Sequence, residues 1–104
     1  MAERPVDAVF MALSDPTRRA VLRRLADGPA SPTELAGELP VTRQAVSKHL
    51  EVLREAGLVQ GARAGREHRY QLTPQPMDEA AEWMAEVGSR WDRRLAELRK
   101  QFED

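Results

Sequence analysis

The feature that most constrains this chain is a helix stop and a helix start set almost back to back. Pro40 closes one short amphipathic segment, Thr42 opens another, and only Pro40-Val41-Thr42 lies between them. The first segment begins at Ser31-Pro32-Thr33-Glu34. There the serine hydroxyl accepts a backbone N–H while Glu34 reaches back, the pattern of a capping box. Leu35 and Leu39 give this segment an apolar edge. After Thr42 the buried stripe is Val46, Leu50 and Leu53, and Gly57 stands where a left-handed terminating residue is wanted. Two short helices joined by so tight a link have helix-turn-helix spacing.

The flanking segments fit around that pair. Val6, Val9, Phe10 and Leu13 recur at helical spacing and predict a first helix over 6–13. Ser14-Asp15-Pro16 interrupts it: Asp15 suits an N-cap and Pro16 the first helical position. Ala20, Val21, Leu22 and Leu25 then predict a second helix, closed by Asp27-Gly28-Pro29. Beyond Gly57 the period changes to two. Segments 58–63 and 67–72 flank Ala64-Gly65-Arg66 and read as a two-stranded hairpin with an arginine-rich tip. A long helix is predicted over 77–102, with Met77, Ala80, Met84, Val87, Trp91, Leu95, Leu98 and Phe102 in one stripe.

The expected fold is mainly α with a small β-hairpin, in one domain over 1–104. Residues 6–72 form its core and hairpin, and 77–102 its closing helix. A domain this small cannot cover Val6, Val9 and Phe10 together with the long stripe. Val6, Val9, Phe10, Met84, Val87, Trp91, Leu95 and Leu98 are therefore expected to meet a second copy across a two-fold axis.

Charge narrows the function. The net charge of −1 hides a middle third, residues 41–72, with six basic against three acidic residues. That is where a polyanion would be met, although a solvated face has the same composition. The absence of cysteine excludes disulfides, thiolate metal sites and cysteine nucleophiles. No apolar run approaches the ~20 residues of a membrane helix. Glu3 and Asp7 interrupt the N-terminal stretch, so no secretory signal is read there and a cytoplasmic protein is expected.

On the helix after Thr42, the residues Arg43, Gln44, Ser47, Lys48, Glu51 and Arg54 occupy the face opposite the buried stripe. A helix of this width fits the major groove. Arg, Gln and Ser are side chains that read base edges there, whereas Lys48 and Arg54 suit phosphates. The alternative is a face that meets only water. Ser47 and His49 are two apart on one helix and face different ways, so they form no nucleophile–base pair and an enzyme is not expected.

Several of these runs are similar to those of a known family. Leu13-Ser14-Asp15-Pro16-Thr17-Arg18-Arg19 resembles the early helices of the ArsR family of winged-helix repressors. Ala45-Val46-Ser47-Lys48-His49-Leu50, followed by Glu55-Ala56-Gly57-Leu58-Val59, resembles its recognition helix. Gly65-Arg66-Glu67-His68-Arg69-Tyr70 is similar to its wing. The resemblance implies a winged helix-turn-helix homodimer, joined through its first and last helices, that represses transcription from double-stranded operator DNA. It carries DNA contacts onto Thr42, Arg43, Gln44, Ser47 and Lys48, and onto Arg63, Arg66 and Arg69 in the wing.

The family's metal sensors use a cysteine pair near the third helix, or aspartate and histidine on the last one. Here Glu34 to Leu39 holds no cysteine. Asp78, Glu79, Glu82 and Glu86 have no histidine beside them. No metal, cofactor or named effector is therefore expected, and the closing segment resembles a metal-independent subgroup. Two rival readings are a dimeric interaction module of the same fold without DNA binding, and a metal-responsive repressor.

Overall fold

Start signals written in the side chains set the helix boundaries. The structure, a computed structural model, describes residues 5–103. Helix α1 spans Pro5–Leu13 and α2 spans Pro16–Leu25. Asp15 caps α2, its Oδ1 accepting from the N–H of Thr17 at 2.7 Å and of Arg18 at 3.1 Å. Helix α3 covers Pro32–Glu38. Its capping box is complete, with Ser31 Oγ 3.1 Å from the Glu34 nitrogen and Glu34 Oε1 3.2 Å from the Ser31 nitrogen. Helix α4 covers Arg43–Glu55, and the Thr42 hydroxyl accepts from the N–H of Ala45.

The end of α4 moves the first strand by one residue. Gly57, at φ 77°, adopts the left-handed conformation. The Leu58 N–H donates to Leu53 O at 2.9 Å and the Gly57 N–H to Arg54 O at 2.9 Å, the paired bonds of a Schellman motif. Leu58 thus belongs to the helix terminus. Strand β1 runs Val59–Ala64, not 58–63, and pairs antiparallel with β2, Glu67–Leu72. Gly65 has φ 66° and Arg66, like every described non-glycine residue, has negative φ, so the two-residue Gly65-Arg66 loop is a type II′ turn. Ala30 adds an isolated bridge to Tyr70, with N–H···O distances of 3.1 and 2.8 Å, which ties the hairpin to the α2–α3 link.

The core lies where α1 to α4 meet the hairpin root. Val9, Val21, Leu35, Val46, Leu50, Leu53 and Leu58 are its largest fully buried side chains. Each such aliphatic burial contributes about 1.5–3 kcal/mol before entropy is counted. Val9 was expected at an intermolecular seam, and the structure corrects this: it is fully buried within its own chain. The reason is that α1 packs on α2 and α4 as well as on α5, and Val9 joins the core cluster there.

Helix α5 spans Gln75–Glu103, a little longer than 77–102, because Pro76 is tolerated in a first helical turn. Its 29 residues extend about 43 Å. Ala80 is buried, Met77 is partly so, and Phe10 of α1 meets Trp83 edge to face at 5.5 Å. From Ser89 to Glu103 every residue is exposed. No helix among the described residues is long and apolar enough to cross a membrane.

Candidate nucleic-acid interface

The start of α4 presents its polar side chains outward because Val46 and Leu50 hold the other face in the core. Thr42, Arg43, Gln44, Ser47 and Lys48 are all exposed. Arg43 Nε donates to the Thr33 hydroxyl at 3.1 Å, so α3 steadies the first arginine of α4. Lys48 makes no ion pair with a described residue. Arg54, one turn and a half further on, is bound to Glu51 by two hydrogen bonds. That contact holds the Glu51 carboxyl below its ordinary range and raises the Arg54 guanidinium.

The hairpin register sorts the three wing arginines. Arg63 stands opposite His68 and Arg69 opposite Ala62, which places Arg63 and Arg69 on opposite faces. Arg66 occupies the turn itself. Arg63 and Arg66 have no ion pair or hydrogen bond with a described side chain. Gly61 lets His68 and Tyr70 stack over it, with ring centroids 5.3 Å apart. A Cβ at Gly61 would lie 2.7 Å from His68 Nε2.

Arg69 is engaged within the fold, unlike Arg63 and Arg66. Its Nη2 sits 2.7 Å from Glu34 Oε1 and 3.5 Å from Pro29 O, with Glu67 3.9 Å from Nη1. It anchors the hairpin root to α3, and its Nε is buried with no partner. Glu34 is held below the ordinary carboxylate range, first by the Ser31 N–H and then by Arg69. Spacing did not expose this contact, since the two residues lie 35 positions apart.

The starts of α3 and α4 and the turn of the hairpin line one cleft. It has a volume of about 260 Å³ and is lined by Ser31, Pro32, Thr33, Arg43, Arg66, Glu67 and His68. Arg43 and Arg66, from two distant segments, are thereby brought to the same side of the molecule.

This arrangement is shared with known proteins. A helix-turn-helix domain model matches residues 13–61. The solved structure of an ArsR-like transcriptional regulator from Rhodococcus sp. RHA1 is 40% identical. It superposes with a TM-score of 0.81 over 96% of this chain and 94% of that one. The transcriptional repressor SdpR of Bacillus subtilis is 30% identical over 84% of this chain and 97% of its own length. This chain belongs to the ArsR family. The HTH-type transcriptional regulator Rv2034 of Mycobacterium tuberculosis is 52% identical over 71 residues, 68% of this chain. That match spans 66% of the relative, just under two thirds of its length. The ArsR family is one of winged helix-turn-helix transcriptional regulators, not of enzymes.

In this ArsR-family chain the second helix also carries structural cations. Arg18 Nε donates to Ala12 O at 2.7 Å and its Nη2 to Met11 O at 3.2 Å, so it closes the end of α1. Its Nη1 lies 3.4 Å from Nδ1 of the half-buried His49. Arg19 donates to Leu13 O, and Arg24 to the Glu38 carboxylate and Gly28 O. The Asp15 carboxyl is held low, chiefly by the Arg18 N–H.

The residues expected at a dimer seam divide by exposure. Val6, Phe10 and Val87 are partly buried, whereas Met84, Trp91, Leu95 and Leu98 are exposed, Trp91 at 62%. Met11 of α1, 69% exposed, was not singled out by the period, since it lies off the apolar side of its helix.

Proposed function

We propose that this protein is a homodimeric repressor that binds an inverted-repeat operator. The first turns of α4 lie in the major groove, where Arg43, Gln44 and Ser47 read base edges and Thr42 and Lys48 hold the backbone. The hairpin serves as the wing, with Arg63 and Arg66 at phosphates or in the minor groove. Residues 6–72 form the reading unit, and 77–102 with α1 form the dimer. The observation that carries the reading is the cleft that Arg43 of α4 and Arg66 of the hairpin turn both line, both cationic and both exposed. Family membership supports it independently.

Selection of duplexes from a random library by the purified protein tests it. The expected product is an inverted repeat with half-site centres about 34–36 Å, one helical turn, apart. Truncating Arg43 or Gln44 should then weaken binding by about 1–3 kcal/mol and relax one position per half-site. Equal affinity for selected and scrambled DNA would reject sequence reading. Absence of any salt-dependent binding would favour a dimeric interaction module instead.

A further inference from the structure

One exposed side chain at the start of α4 is held by another element. Of Arg43, Gln44, Ser47 and Lys48, only Arg43 hydrogen-bonds to a described side chain, its Nε donating to the Thr33 hydroxyl at 3.1 Å. Arg43 has no ion pair with a described residue. Glu67, the acid that lines the same cleft, lies 3.9 Å from Arg69 Nη1.

Thr33 is itself well placed to hold an arginine. It lies in the first turn of α3, between Ser31 and Glu34, the two residues of the capping box. Glu34 Oε1 accepts from the Ser31 N–H at 3.2 Å and from Arg69 Nη2 at 2.7 Å, so the hairpin braces the same turn. Threonine is β-branched and stiff at χ1, which fixes its hydroxyl once the backbone is fixed.

An arginine bound at Nε has fewer ways to meet a ligand. A guanidinium can offer its side edge, Nε with one Nη, or its end, one N–H from each Nη. Thr33 occupies the Nε–H and leaves the end-on fork. Guanine presents two acceptors, O6 and N7, on its major-groove edge, and no other base does. A phosphate accepts the same fork but carries no sequence information.

We propose that Thr33 is a positioning residue for Arg43, holding its guanidinium so that the end-on fork reads one guanine in each half-site. The proposal rests on the operator-binding reading and adds the base that is read and the residue outside α4 that sets the reader. Guanine is favoured over phosphate because Arg43 stands on the exposed first turn of the groove-sized helix. A guanidinium already set in the free protein also loses less rotamer freedom on binding.

Selection from a random duplex library tests it, followed by fluorescence anisotropy on the selected duplex and on duplexes carrying each other base at the guanine. Full-length variants are used, with circular dichroism to verify helix content. The selected half-site should hold a guanine that Arg43→Ala no longer distinguishes. Thr33→Val should lower discrimination at that position alone by about three- to tenfold, the worth of one hydrogen bond. Thr33→Ser keeps the hydroxyl and should retain most of the discrimination. In the Arg43→Ala background, Thr33→Val should change nothing further. A half-site with no Arg43-dependent guanine would overturn the proposal, as would a Thr33→Val variant as discriminating as the wild type. So would a loss spread evenly over all sequences, the mark of a phosphate contact. A loss that persists in the Arg43→Ala background would also overturn it, by putting Thr33 itself on the DNA. A wild type that binds selected and scrambled duplexes equally would refute the operator-binding reading itself.

Discussion

Replacing Arg66 with alanine separates the wing as a DNA contact from the wing as a scaffold. Arg66 sits in the Gly65-Arg66 turn and is exposed. No described side chain pairs with it, so its removal disturbs nothing inside the fold. A dimer presents two such turns. Each phosphate neutralised adds about 0.9 to the magnitude of the slope of log K against log salt. Losing Arg66 from both subunits should therefore lower that magnitude by about 1.8. Over a fourfold rise in salt, the wild type should then lose about tenfold more affinity than the variant. Fluorescence anisotropy with a selected duplex and a scrambled one measures both slopes. Both should fall equally, because phosphates carry no sequence information. Arg69→Ala is the internal control. Its guanidinium is engaged by Glu34 and Glu67, so the slope should stay as it is even where affinity drops through a loosened hairpin. An unchanged slope for Arg66→Ala, or an Arg69→Ala effect of the same size, would refute the reasoning.

Three further outcomes follow from the same geometry. Glu34 has a folded pKa below its ordinary 4.5, so its contribution is present above that value and lost as pH falls through the depressed one. Glu34→Gln should therefore flatten the acid limb of a urea-midpoint-against-pH curve while lowering stability at neutral pH; an identical limb would contradict this. Leu50→Ala removes a side chain that is 1% exposed and should destabilise by about 2–5 kcal/mol in chemical denaturation, against a loss near zero for Leu98→Ala in the monomer. Trp91→Glu places a charge in the exposed stripe of α5, and size-exclusion chromatography should find monomer or aggregate in place of a dimer.

Local chemistry made the helices legible. Asp15, Ser31 with Glu34, and Thr42 are caps that act within three residues, so a reader of the sequence sees both partners at once. The hairpin was legible for the same reason, Gly65 being the residue that a turn with positive φ demands. What spacing could not reveal were contacts between distant segments. Periodicity identifies an apolar face but not what covers it. Val9 and Met11 both sit on α1, and only packing decides that the first is buried and the second open. Arg69 looked like part of a basic tip because its neighbours are basic. Its acidic partner Glu34 comes from α3, where it already serves a helix cap. Arg18 likewise stood among four helical arginines with nothing to mark it as the one that closes α1.

That guanidinium ties two jobs to one rigid piece. It grips the last carbonyls of α1 and at the same time stands against His49 on α4. In a dimer joined through α1, the two reading heads are therefore brackets of fixed angle, and their separation is settled where the subunits meet. Each added base pair between half-sites rotates the second one by about 34° around the duplex axis. A bracket of this kind has no joint with which to follow that rotation. Tolerance to half-site spacing then becomes a torsional property of the operator: the DNA twists to fit, or the second head is left facing the backbone.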